Sequence, residues 1–218
     1  MQLVAENLTL ERGNRKIANG ISFQLDSGNA LMLTGPNGSG KSTLLRALAG
    51  YLRPASGKVM WRADSVEAPA GSESREVSEV CQFVGHLDGI KAHLTVAENL
   101  RFWATYLAGP ADSGRTSLER VEDGLEQFAL EALAEIPAGY LSAGQKRRLG
   151  LARLAVVSRP LWLLDEPTVS LDAKSVRVLV DAINRHLDSG GMAVIATHVP
   201  MELKSAQTIE LGRPQVTA

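Results

Sequence analysis

The glycine-rich run Gly35-Pro36-Asn37-Gly38-Ser39-Gly40-Lys41-Ser42 matches the pattern G-x-x-x-x-G-K-[ST] at every fixed position. Its glycines let the backbone curl so that successive N–H groups face a phosphate group. We expect Lys41 to reach the β- and γ-phosphates of ATP, Ser42 to ligate Mg²⁺, and Thr43 to complete the loop. The alternative interpretation is a chance glycine-rich turn, and the flanking residues distinguish the two.

Those flanking residues predict the strand, loop and helix order that a phosphate loop needs. Residues 30–34 form a short apolar run that favours a strand. Residues 41–48 are rich in helix formers, and the pattern ends at Gly50 with Pro54 beyond it. The helix would add the positive end of its dipole to the loop, so we predict nucleotide binding here.

Strands and helices are predicted around this loop. Residues 3–10 and 21–25 alternate apolar and polar positions about the turn-prone Arg12-Gly13-Asn14, which indicates a strand pair. Residues 62–80 are polar and loop-like. Capping boxes at Thr95–Glu98 and Thr116–Glu119 predict two helices, the first stopped by Gly109-Pro110. Pro137 and Gly139 break the helical pattern that follows. Strands are also predicted at 80–85, 161–164 and 193–197, and helices from about 145 and at 174–187.

This alternation predicts an α/β fold with a mixed, mainly parallel sheet and ligands at the carboxyl ends of its strands. We expect a phosphate-loop NTPase core with an N-terminal antiparallel β part and an inserted helical subdomain. In this interpretation residues 1–218 form one domain. Its core comprises residues 1–86 and about 141–218, and the insert comprises about 87–140 and runs on into the next helix.

The composition restricts the class of protein. The chain has 218 residues, and its net charge of -1 gives no basic excess of the kind that binds nucleic acid. A lone cysteine, Cys81, cannot form an internal disulfide, and no signal segment opens the sequence, so we expect a cytosolic protein. Because no apolar run approaches the ~20 residues that span a bilayer, membrane association would require a partner.

Two acidic residues end the buried strand predicted at 161–164. Asp165 can hold Mg²⁺, and Glu166 can polarise an attacking water as general base. An acidic pair after an apolar strand is common, and Asp165 could merely cap the next turn. Next to a phosphate loop, we expect the metal and catalytic roles instead.

The run Leu141-Ser142-Ala143-Gly144-Gln145 comes just before a predicted helix, with Ser142 as a plausible N-cap. It resembles the signature sequence of ATP-binding cassette (ABC) proteins, which usually reads L-S-G-G-Q, although Ala143 replaces one glycine. With the phosphate loop and the acidic pair, this resemblance covers nearly the whole chain. It implies an ATPase that hydrolyses ATP to ADP and phosphate, coupled to translocation, with Mg²⁺ as cofactor.

The resemblance also implies roles for later residues. Ser170-Leu171-Asp172 is similar to the loop that meets a partner subunit, and His198 is similar to the switch histidine that contacts the γ-phosphate. In that family two cassettes dimerise head to tail. The residues expected to face the partner's ATP are Ser142, Ala143, Gly144 and Gln145.

Two positions depart from the family pattern. Arg12 occupies the position expected for the aromatic residue that stacks on adenine, so we expect weak adenine recognition through its guanidinium group. His86 occupies the position of the glutamine that links Mg²⁺ to the transporter interface, since Gln82 lies four residues too early. His86 would hydrogen-bond the water or the metal in its place.

A narrower resemblance rests on four runs: Gly85 to Lys91 followed by Leu94 to Leu100, Leu141 to Arg148, Ala152 to Leu154, and Leu161 to Pro167. These runs are similar to the ATPases of cytochrome c maturation systems within the ABC family. Membership implies a peripheral protein on the cytoplasmic face of the bacterial inner membrane, with membrane subunits resembling CcmB and CcmC as partners. It implies work on haem handling or export, while the chain lacks a C-x-x-C-H motif, so we expect no direct haem binding.

Other functions remain open from the sequence. The chain could power another exporter, since only the coupling surface at 87–103 would differ. A soluble cassette protein acting on ribosomes or DNA is disfavoured by the single cassette and the near-zero charge. A protein that binds ATP without hydrolysis is disfavoured because Glu166 and His198 are both present.

Overall fold

The structure is a computed structural model that describes residues 1–13, 15–62, 76–109 and 112–212. Some of the sequence predictions lie outside these residues. They concern Asn14 of the predicted turn, 63–75 of the predicted loop, and Pro110 of the predicted helix stop.

An antiparallel sheet of three strands, in the order β2-β1-β4, is formed by the N-terminal part of the chain. Its strands are β1 (Gln2–Arg12), β2 (Arg15–Asp26) and β4 (Ser56–Arg62). The predicted pair is confirmed, with Leu3 opposite Leu25. Strand β4 was not predicted, because mainly exposed residues leave only Trp61 buried and the alternating pattern is absent.

A second sheet has the order β5-β6-β7-β3-β8. Its strands are β5 (Cys81–Val84), β6 (Leu161–Asp165), β7 (Met192–Ala196), β3 (Ala30–Thr34) and β8 (Ala206–Glu210). Strand β3 pairs in parallel with β7 and β8, and β6 pairs in parallel with β7. Strands β6 and β7 are buried along their whole length, as expected for the centre of a parallel sheet.

The helices mostly begin and end near their predicted bounds. They are α1 (Lys41–Leu48), α2 (Val77–Val80), α3 (Val96–Tyr106), α4 (Ser117–Gln127), α5 (Ala143–Ala152) and α6 (Ala173–Asp188), with short 3₁₀ turns at Glu131–Leu133 and Ala138–Tyr140. Both predicted capping boxes are present, at Thr95 with Glu98 and at Thr116 with Glu119. The prediction of a loop up to residue 80 was wrong at α2, whose buried Val77 and Val80 pack into the core as one helical turn.

The chain divides into two compact units. Unit 1 contains Met1–Phe83, Pro160–Glu166 and the chain from His186 onward, and unit 2 contains Val84–Arg159 and Pro167–Arg185. Unit 1 holds both sheets, apart from Val84 at the end of β5, and an apolar core that includes Leu31, Leu45 and Val194. The predicted fold class, a mainly parallel sheet with an antiparallel β part and added helices, is confirmed. Among the described residues no helix combines the length and apolar character needed to cross a membrane.

Candidate functional site

The phosphate loop follows β3 and leads directly into α1, as predicted. Gly35 has φ +125°, and a Cβ there would lie 2.2 Å from the carbonyl oxygen of Leu211. Gly40 has φ +102°, and its Cβ would lie 2.6 Å from a methyl group of Ile17. Glycine is therefore required at both positions for two reasons: the backbone is left-handed, and a neighbouring atom leaves no room for a Cβ.

The loop encloses the amine of Lys41. This side chain is buried, and its Nζ donates to the carbonyl oxygens of Gly35 at 2.8 Å and Pro36 at 3.3 Å. The other predicted loop residues are exposed at Pro36, Asn37 and Gly38 and partly buried at Ser39, Ser42 and Thr43. A buried ammonium held over a curled backbone is the arrangement that binds phosphate oxygens.

Ser42 and Asp165 lie together in unit 1 although 123 residues separate them in sequence. The Ser42 hydroxyl donates to Asp165 Oδ1 at 2.8 Å, and Asp165 is only 3% exposed at the end of β6. Hydroxyl and carboxylate oxygens are the hard ligands that Mg²⁺ prefers, and Mg²⁺ commonly takes one or two such groups plus substrate phosphates. These two residues therefore fit the predicted metal site.

Glu166 and His198 are also brought together. Strands β6 and β7 pair with Asp165 opposite Ala196, so the residues just past both strand ends emerge side by side. Glu166 donates its backbone N–H to Ala196 O at 2.8 Å, and His198 Nδ1 lies 2.9 Å from Glu166 Oε2. Glu166 adopts φ +45°, a left-handed conformation that is uncommon for its residue type and is often found at functional sites.

The signature residues begin α5 in unit 2. Ser142 caps the helix by accepting from Gln145 N at 3.3 Å, and Gln145 Oε1 accepts from Ser142 N at 2.8 Å. A Cβ at Gly144 would lie 2.9 Å from Ser170 O, whereas Ala143 is exposed. The sequence therefore departs from L-S-G-G-Q at Ala143, whose methyl group is exposed to solvent. It keeps glycine at Gly144, where the backbone of Ser170 comes close.

Asp172 lies at the start of α6. Its Oδ1 accepts from Ser175 N at 2.7 Å, and this backbone hydrogen bond lowers the pKa of Asp172. One cleft of unit 2 is lined by Ser142, Gly144, Gln145, Arg148, Ser170, Asp172 and Lys174. The predicted signature residues and the loop Ser170-Leu171-Asp172, which was predicted to meet a partner subunit, thus share a surface.

Arg12 and His86 are both exposed, Arg12 at the end of β1 and His86 in the loop after β5. Their roles stay predictions. A residue that sequence reasoning missed is Arg147, which is 4% exposed and bonds Asp88 close to His86. The sequence indicated only that Arg147 shares a helix face with the apolar Leu151, four positions later, and gave no signal for its bonding partners.

Comparisons with known proteins identify a family and several similar proteins. Residues 18–169 match the family model described as ABC transporter. The cytochrome c biogenesis ATP-binding export protein CcmA of Rhizobium johnstonii is 46% identical, over 97% of this chain and 94% of that protein. CcmA of Rhodospirillum rubrum is 50% identical, over 94% of this chain and 84% of that protein.

A solved structure shows the same fold. A putative ABC transporter ATP-binding protein from Pyrococcus furiosus superposes with a TM-score of 0.78 at 23% identity, over 95% of this chain and 97% of that chain.

Proposed function

Since this chain belongs to the ABC transporter family, we propose that it is the ATP-hydrolysing subunit of a membrane complex that handles or exports haem in c-type cytochrome biogenesis. Family membership implies ATP binding and hydrolysis, and the cytochrome c assignment is supported by near-full-length identity to proteins named CcmA. The observation that supports hydrolysis best is the pairing of Ser42 with Asp165 and of Glu166 with His198 at two neighbouring strand ends.

Three residues bind the phosphates of ATP and Mg²⁺: Lys41, Ser42 and Asp165. Lys41 Nζ would bind the β- and γ-phosphate oxygens, while the Ser42 hydroxyl and the Asp165 carboxylate would hold Mg²⁺. When bound, Mg²⁺ supplies positive charge that offsets the charge on the phosphates. The rest of the curved loop is formed by Gly35, Pro36, Asn37, Gly38, Ser39, Gly40 and Thr43. Arg12 contacts the adenine.

Glu166 and His198 act on water. Glu166 takes a proton from the water whose oxygen attacks the γ-phosphorus, and ADP leaves as the bond to that phosphorus breaks. His198 orients the Glu166 carboxylate across the 2.9 Å contact and contacts the γ-phosphate. Partial burial of Glu166 keeps its carboxylate in one place beside the imidazole.

A second copy of the chain completes each site. The exposed start of α5, with Ser142, Ala143, Gly144 and Gln145, faces the ATP bound by the other copy, and its backbone N–H groups donate to the γ-phosphate. Asp172 lines the same cleft and meets the partner subunit.

Membrane subunits resembling CcmB and CcmC dock on an apolar face of unit 2. The rings of Phe102 and Tyr106 stack with centroids 5.6 Å apart and line a groove with Leu94, and Tyr106 is 71% exposed. Leu87, in the loop after β5, is 84% exposed. Such exposed aromatic groups are typical of a protein interface. His86, next to Leu87 in the sequence, occupies the position of the family glutamine that couples ATP hydrolysis to the membrane partner, and the protein lies on the cytoplasmic side of the bacterial inner membrane.

The test replaces the chromosomal gene with Lys41→Ala or Glu166→Gln and stains cell extracts for covalently bound haem. We expect c-type cytochromes to disappear while the variant persists in the membrane fraction. Lys58→Ala and Glu6→Gln, which break an exposed ion pair of unit 1, are the matched controls. Normal cytochromes in both site variants would instead identify the motor of another exporter.

A further inference from the structure

Arg147 is an arginine buried within unit 2 that contacts two separate chain segments. It lies in the second turn of α5, and its side chain is 5% exposed. Its Nη1 donates to Gly85 O at 3.0 Å and to Asp88 Oδ1 at 2.7 Å, and its Nε donates to Pro167 O at 3.3 Å. A guanidinium group offers donors in several fixed directions at once, which a lysine amine cannot reproduce.

Asp88 is seated against the same helix. A Cβ at Gly150 would lie 2.7 Å from Asp88 Oδ1 and 2.8 Å from its Cβ, so only glycine leaves room for this side chain. Arg147 and Gly150 are three residues apart and therefore share one face of α5. The position of the Asp88 carboxylate is thus fixed both by the charge of Arg147 and by the space that Gly150 leaves. We call Arg147, Asp88 and Gly150 together the Arg147 latch.

The two segments held by the latch carry residues assigned to the reaction. Gly85 and Asp88 flank His86, which occupies the position linked to Mg²⁺ and to the membrane partner. Pro167 follows Glu166 directly in the chain, so its carbonyl group belongs to the segment that leaves the catalytic base. The helix that bears the latch begins with the signature residues.

We propose that the Arg147 latch is a positioning element that fixes the His86 segment and the Pro167 segment on the signature helix, and that ATP turnover depends on it. This inference rests on the proposed function. Arg147 acts through the segments it holds, so its loss misplaces reacting groups without removing any of them. A small displacement of positioned groups lowers turnover by about 10- to 100-fold.

The latch predicts a separation of kinetic constants. The side chains proposed to bind ATP and Mg²⁺, Lys41, Ser42 and Asp165, belong to unit 1, whereas the segments held by Arg147 belong to unit 2. Loss of the latch should therefore lower kcat by about 10-fold or more while KM for ATP changes by less than about 2-fold. A general loss of folding would not produce this split.

The experiment uses the full chain, alone and assembled with its membrane subunits, with ATP as the probe. The variants are Arg147→Met, Asp88→Asn and Gly150→Ala. Gly150→Ala is the sharpest of the three, because alanine favours helix more than glycine does, so a fall in kcat cannot come from a weakened α5. Arg115→Met and Asp123→Asn remove the same charges from an exposed ion pair of unit 2 and serve as controls.

Hydrogen exchange supplies a readout that does not depend on catalysis. We expect the amides of residues 85–91 and 167–171 to exchange faster in all three latch variants, and the double variant Arg147→Met/Asp88→Asn to resemble either single one in kcat. Arg147→Lys should recover part of the lost kcat.

The outcomes separate the two proposals. Unchanged kcat and unchanged exchange in folded Gly150→Ala and Asp88→Asn would overturn the latch. Independent, multiplying effects of Arg147→Met and Asp88→Asn would also overturn it. A wild-type complex that hydrolyses no ATP would overturn the proposed function, while the exchange pattern would still decide whether the latch holds its segments.

Discussion

The phosphate loop of unit 1 and the signature turn of unit 2 are both glycine-bearing turns that begin a helix, yet they need glycine for different reasons. In the loop, Gly35 and Gly40 adopt φ values of +125° and +102° and also meet close neighbours. In the signature, Gly144 lies within α5 and is constrained only by Ser170 O, 2.9 Å from where its Cβ would be. The phosphate loop demands both a left-handed backbone and space for its glycines, whereas the signature demands space alone.

The largest effect is expected where both demands coincide. Gly35→Ala would force a methyl group to within 2.2 Å of Leu211 O and strain the backbone as well, so we expect ATP to bind about 100-fold more weakly. Titration with a fluorescent ATP analogue measures this, beside a thermal unfolding curve. Gly38→Ala is the control, since Gly38 has φ +80° with nothing within 4 Å of its Cβ. Equal losses in the two variants would show that backbone conformation alone sets the loop.

A smaller effect is expected in the signature turn. Gly144→Ala should push the start of α5 away from Ser170 and lower ATP turnover by about 10-fold, because it misplaces the N–H groups that we propose donate to the γ-phosphate. Ala143→Gly restores the family's usual glycine at an exposed position and should leave turnover within about 2-fold, reflecting only the lower helix propensity of glycine. Steady-state ATPase assays of the assembled complex measure both. If Ala143→Gly raised turnover strongly, the tolerance argued for Ala143 would be wrong.

The same contrast shows what could be predicted from the sequence. Strand β3, the loop and α1 were predicted to the residue, because local pattern determines each of them. Strands β4 and β8 are mainly exposed and lack an apolar alternation, so no periodic signal indicated them.

The site shows a similar division. Asp165 and Glu166 were predicted as site residues from their position after an apolar strand, and the register of β6 with β7 explains why His198 lies beside Glu166. The contacts of Arg147 could not be predicted, since they depend on where Gly85, Asp88 and Pro167 meet α5 after folding. Local patterns predicted the residues that belong to motifs, whereas the contacts of Arg147, which we propose to be a positioning residue, depend on the tertiary structure.

The contact between His186 and Trp162 lies outside both glycine-bearing motifs. In unit 1, the His186 ring stacks on Trp162 with centroids 3.9 Å apart and an interplanar angle of 4°, and its Nε2 lies 3.2 Å from Met192 O. Burial is the main cause that lowers the pKa of His186 from 6.5 to about 4. Nothing in this contact involves the phosphate loop or the signature residues, so it should affect stability without affecting turnover.

The sign of the pH dependence follows from which state binds the proton first. Between pH 6.5 and 4 the unfolded chain protonates His186 while the folded chain keeps it neutral, so the free energy of unfolding falls as the pH falls through that range. From pH 7 to pH 5 we expect His186 to contribute a loss of about 2 kcal/mol. Urea unfolding followed by tryptophan fluorescence measures it, and His186→Phe, which cannot titrate, should lose about that much less over the same interval. ATP turnover of this variant at pH 7 should remain within about 2-fold of wild type, because no site residue changes. If the free energy of unfolding of His186→Phe depended on pH as in the wild type, another group would be responsible for the dependence. If His186→Phe lost ATP turnover, the His186 contact would affect the predicted ATP site as well as stability.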